Sequence, residues 1–68
     1  MNAELIRWNK YGMELRHAEN ETDTWPGCDE SCPLPKPGYW IGTYKHHEHV
    51  GYSYHDAIKE WEHRNQAT

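Results

Sequence analysis

The chain has 68 residues, 35% of them hydrophobic and 26% charged, with a formal net charge of −4 when its six histidines are neutral. That length fits one domain over residues 1–68 and excludes two, and the acidic balance argues against a general binder of the DNA backbone, which needs a basic footprint. No apolar run is long enough to span a membrane, and Met1-Asn2-Ala3-Glu4 lacks the segments of a signal peptide, so a cytoplasmic protein is expected.

In chain order, residues 2–11 read as a short helix. Asn2 can cap it, Leu5, Ile6 and Trp8 share a face, and Gly12 would end it. Met13, Leu15 and His17 then alternate with Glu14 and Arg16, a strand pattern, with a continuous helix through Ala18 as the rival reading. From Glu19 to Pro37 the chain reads as a loop, because its prolines block helix interiors and central strands. A structureless stretch of that length is unusual in a small domain and needs pinning. Burial of Trp25 and closure by Cys28 and Cys32 are the two candidates.

Residues 39–45 read as a strand, with Trp40, Gly42 and Tyr44 on one face and Tyr39, Ile41 and Thr43 on the other. The run Lys45-His46-His47-Glu48-His49 makes the turn, and His49 to Tyr52 return antiparallel. A helix follows over 54–64, capped by Ser53 with Asp56 three residues on. Tyr54, Ala57, Ile58 and Trp61 form its apolar stripe. The expected class is α+β: an antiparallel sheet of two to three strands packed by a C-terminal helix, with residues 38–65 as a β-β-α unit.

The composition makes the core aromatic. There are four Trp and five Tyr but no Phe, and each such ring buries roughly 150–250 Å². Disordered chains are poor in these residues. Every one carries a polar tip that must be partnered or face water, so several rings should be only partly buried. Protonating six histidines takes the charge from −4 to −4 + 6 = +2, which predicts a sharp change in solubility below about pH 6.

Cysteine and histidine supply a possible metal set. Cys28 and Cys32 are separated by three residues and His46 and His49 by two, spacings used by zinc sites. Together they would form a Cys₂His₂ tetrahedron, with His47 and His55 as rival ligands. A structural zinc contributes on the order of 10 kcal/mol to folding, whereas a disulfide closing this small ring contributes about 2 kcal/mol. In a reducing compartment a cysteine pair reads more readily as metal ligands than as a disulfide. Free or disulfide-linked cysteines and solvated histidines are the plainer alternative.

Gly38-Tyr39-Trp40, then His46 to His49, then Gly51-Tyr52, then Ser53, Ala57, Ile58, Trp61 and Arg64 form a pattern. It resembles the second half of the restriction alleviation proteins, small zinc-ribbon-like proteins of phages and prophages. The family's two C-x-x-C pairs are not kept. The resemblance covers residues 38–65 and implies a phage or mobile-element accessory protein that modulates a host restriction or other defence enzyme.

Three functions follow from the residues. The first is a non-enzymatic interaction protein that binds a host protein through Trp and Tyr, the residues that dominate binding hot spots; candidate contacts are Trp40, Tyr44, Tyr52 and His55. The second is stacking of single-stranded nucleic acid on the same rings, disfavoured by only seven Lys and Arg. The third is a metal-dependent hydrolase using His46, His47, Glu48, His49, His55 and Asp56. It lacks a complete motif, and so small a chain offers little cleft.

Overall fold

A computed structural model describes residues 2–27 and 32–66 of the chain. The fold is α+β. Strands β1 (Glu4–Trp8), β2 (Glu14–Ala18), β5 (Gly38–Gly42) and β6 (His47–Gly51) form an antiparallel sheet in the order β1-β2-β5-β6. Between β2 and β5 lie two short paired strands, β3 (Thr24–Trp25) and β4 (Cys32–Pro33). Helix α1 (Tyr54–Gln66) closes the described chain.

The sheet has four strands rather than two to three, because the expected N-terminal helix is β1. Sequence from 4 to 18 makes a hairpin, not a helix. Asn9 is the cause: its Oδ1 accepts from the backbone N–H groups of Tyr11 (2.9 Å) and Met13 (3.1 Å). Asx side chains fold the backbone back in this way and so compete with helix. Gly12 supplies the positive φ of 87° that the turn needs. β1 is also irregular. Leu5 pairs with Arg16 and Arg7 with Leu15, which leaves Ile6 as a bulge. Ile6 packs under the helix and Arg7 reaches the Tyr54 hydroxyl, so consecutive side chains both serve the helix side. The same bulge puts Leu5 and Trp8, three residues apart, on one face, a spacing that reads as helical.

Both faces of the sheet are covered, by different means. On one face, Leu15 and Ile41 pack against Ala57 and Trp61 of α1, flanked by Ile6, Met13, Tyr39, Val50 and Ile58. The Ser53 hydroxyl accepts from the Asp56 N–H at 3.4 Å, and the Ser53 carbonyl accepts from the Ala57 N–H at 3.0 Å, the capping read from the sequence. Arg64 bonds Glu60 and Glu48, tying the helix to β6. Burial opposes the charge on Arg64, but these two carboxylates more than offset it, and its pKa is raised.

On the other face lies the Pro-rich segment, with Ala3, Ala18, Trp25, Leu34 and Trp40 buried together. Trp25 is fully buried and pins the loop, as expected. Its ring stacks on His47 at 4.4 Å with an interplanar angle of 4°, and its indole N–H is buried with no hydrogen-bond partner among the described residues. Two side chains from the sheet then hold loop carbonyls. The Trp40 indole N–H donates to the Lys36 carbonyl (3.2 Å), and His49 donates from Nε2 to the Pro37 carbonyl (3.0 Å). Asp23 accepts from the Glu19 N–H at 2.7 Å and is itself buried. The loop is thus a third layer, held by side-chain bonds to backbone together with the short β3–β4 ladder.

Candidate docking surface

The loop layer stops short of β1. Leu5 and Trp8 lie opposite Arg16 and Glu14 across the β1–β2 ladder, and directly paired residues share a face. They therefore point to the loop side of the sheet, yet Trp8 is 70% exposed and Leu5 is 39% exposed. Two turns flank this uncovered strip. In the β1–β2 turn, Tyr11 is 75% exposed. In the β5–β6 turn, Thr43 and His46 exchange backbone bonds of 2.8 and 3.2 Å, which puts Tyr44 and Lys45 at the tip; Tyr44 is 48% exposed.

Between the two turns lies a hollow of about 260 Å³ lined by Gly12, Glu14, Arg16, Pro26, Gly27 and Tyr44. Its polar wall is an ion pair: Arg16 Nε donates to Glu14 at 2.8 Å, and Nη1 donates to the Ala3 carbonyl at 2.7 Å. The Arg16 guanidinium also lies over the Trp25 ring, 5.7 Å from its centre. Gly27 closes the far side; a Cβ there would stand 3.3 Å from the Tyr44 Cβ. Asn9 Nδ2 donates to Asn65 Oδ1 at 2.9 Å, bracing the first turn against the end of α1. The surface is thus a set of exposed rings on braced turns around a shallow charged hollow.

The expected contacts do not gather there. Tyr44 lies at this end. Tyr52 and His55, both exposed, lie at the other end of β6, where the Tyr52 ring meets His49 at 4.8 Å. Trp40 is corrected outright: it is 6% exposed, a core residue whose indole N–H is bound to the loop. Trp8 and Tyr11 were missed because a helix was read over 2–11. The signal for them was Asn9-Lys10-Tyr11-Gly12, a turn sequence with Asn first and Gly last.

The expected metal set lies only partly within the described residues. Cys28 lies outside the described residues, and of Cys32 the structure describes the backbone, opposite Trp25. His46 is exposed beside its turn, while His49 has its Nε2 committed to Pro37. It is His47, the rival ligand, that packs against Trp25, with Nδ1 bonded to the Thr43 carbonyl at 3.1 Å. Among the described residues no three His, Cys, Asp or Glu side chains group in a way that could hold a metal ion. No helix among them is long and apolar enough to cross a membrane. Comparison with models of known protein families, with curated proteins and with solved structures found no match to this chain.

Proposed function

We propose that the protein is a docking module that binds and modulates another protein through the rings of Trp8, Tyr11 and Tyr44. The observation that carries this reading is the division of the tryptophans. Trp25, Trp40 and Trp61 are core, while Trp8 stands in water on the strip that neither the loop nor the helix covers. A domain this short gains from burying every large ring it has. A tryptophan left outside, beside two exposed tyrosines and Leu5, has the composition of a binding hot spot. The resemblance of residues 38–65 to restriction alleviation proteins points to a host restriction or other defence enzyme as the class of partner, in the cytoplasm of that host.

The test is affinity capture from a bacterial lysate with tagged wild-type protein and with the Trp8→Ala/Tyr11→Ala double variant. A protein retained stoichiometrically by the wild type and lost by a variant with an unchanged melting temperature is the expected result. Equal retention by both chains rules this surface out.

A further inference from the structure

We propose that the occupant of this surface is an acidic segment of the partner protein, gripped by Lys10 and Lys45 at the tips of the two turns. The inference rests on the docking reading above and adds the partner's chemistry. Lys10 Nζ lies 5.3 Å from the centre of the Tyr11 ring, and Lys45 Nζ lies 5.8 Å from that of Tyr44. Both lysines are exposed, and neither joins an ion pair among the described residues. The other cations nearby are occupied. Arg16 holds Glu14 and the Ala3 carbonyl, and Arg7 holds the Ile6 carbonyl and the Tyr54 hydroxyl.

The net charge of −4 is thus spread unevenly. Glu4, Glu19 and Asp23 line a second hollow, of about 250 Å³, at the far end of β2. The end with the exposed rings carries Lys10 and Lys45. Rings with an ammonium group over them suit a chain segment whose carboxylates meet the lysines and whose apolar side chains lie on Trp8 and Leu5.

A single-stranded nucleic acid fits less well. Its phosphates recur at every residue and call for a continuous basic track. Here the Glu14 carboxylate stands in the wall of the hollow between the two turns and interrupts any such track. A peptide can satisfy two lysines with two carboxylates and donate a backbone N–H to Glu14.

The experiment uses the full chain, ¹⁵N-labelled, titrated with three probes: a decapeptide alternating Glu and Leu, its Lys/Leu counterpart, and a ten-nucleotide oligothymidylate. The acidic peptide is expected to shift the amides of Lys10, Tyr11, Glu14, Tyr44 and Lys45. Its affinity should fall about tenfold in the Lys10→Glu/Lys45→Glu variant, with the melting temperature unchanged, and should weaken with added salt. Tighter binding of the oligonucleotide at those amides overturns the proposal in favour of nucleic acid. Absence of shifts with the acidic peptide, or equal shifts with the basic one, also overturns it. The lysate capture separates this failure from the larger one. A captured protein lost with Trp8→Ala/Tyr11→Ala but kept with Lys10→Glu/Lys45→Glu leaves the docking reading standing and removes the acidic segment.

Discussion

The two faces of the sheet are covered by layers of opposite character. The helix side is apolar packing: a stripe at helical spacing on α1 meets Leu15 and Ile41, and its polar contacts sit at the rim. The loop side has little repeating backbone structure. It is held by ring stacking on Trp25 and by single hydrogen bonds from Trp40 and His49 to loop carbonyls. A helix satisfies its own backbone before it docks, so its face can be purely apolar. A Pro-rich loop cannot, so the surface beneath it must offer donors. Trp and His suit that place, since each has an apolar ring and an N–H to give.

If the loop layer is as necessary as the helix, Trp25→Ala and Trp61→Ala should cost the same. Both remove a buried indole, and the expected loss is about 3–5 kcal/mol each, enough to unfold a domain of this size. Urea unfolding followed by circular dichroism measures it. Trp25→Phe is the milder companion, because it keeps an aromatic ring and discards an N–H that bonds nothing among the described residues. A Trp25→Ala protein that melts like the wild type would reduce the loop to a decoration on a helix-covered sheet.

The next largest effect concerns the closeness of loop and sheet. Gly38 has φ +120°, and a Cβ there would lie 2.5 Å from His49 Nε2 and 2.7 Å from the Gly51 carbonyl oxygen. Gly38→Ala therefore both strains the backbone and displaces the histidine that holds Pro37, an expected loss of about 1–3 kcal/mol. Gly12→Ala is the control: its φ is +87° but nothing lies within 4 Å of the added Cβ. It should lose only the backbone part, about 1 kcal/mol. Equal melting temperatures for the two variants would mean that the approach of β5 to β6 and the loop is not as tight as the geometry has it.

These contrasts also explain what could be read from the sequence. The helix was legible because Ser53, the stripe through Trp61 and the charges at its ends act over neighbouring residues; it runs two residues past the expected end at 64. β5 was legible from its aromatic and β-branched content, and Trp25 as an anchor because it is the one aromatic ring between Glu19 and Pro37, though Leu34 is buried with it. The loop layer was not legible, because its bonds join residues far apart along the chain to carbonyls that any residue carries. Trp40 was placed at the surface for that reason: a ring that alternates outward on a strand looks free until something covers it. The β1 hairpin failed on local grounds. The bulge at Ile6 breaks the alternation that marks a strand, and Asn9 imposes a turn that hydrophobic spacing does not report.

His49 lets the two layers be separated without unfolding either. His49→Phe keeps a ring beside Trp40 and Tyr52 but deletes the donor to Pro37. The expected loss is about 0.5–1.5 kcal/mol, the net worth of one hydrogen bond. It should appear locally, as faster amide exchange at Leu34 and Lys36 while the amides of α1 keep their protection. Uniform loosening of both regions would show that loop and helix are one cooperative unit.

The smallest effect on stability carries the most for function. Trp8 shares a face with Trp25 and Trp40 but lies beyond the reach of the loop, so deleting it uncovers nothing. Trp8→Ala should change stability by no more than about 0.5 kcal/mol, as exposed positions do, against the several kcal/mol expected at Trp25. A stability-neutral Trp8 is the outcome that the proposed docking surface requires. A substantial loss on Trp8→Ala, measured in the same urea titration, would place the ring in the fold after all and take the docking surface with it.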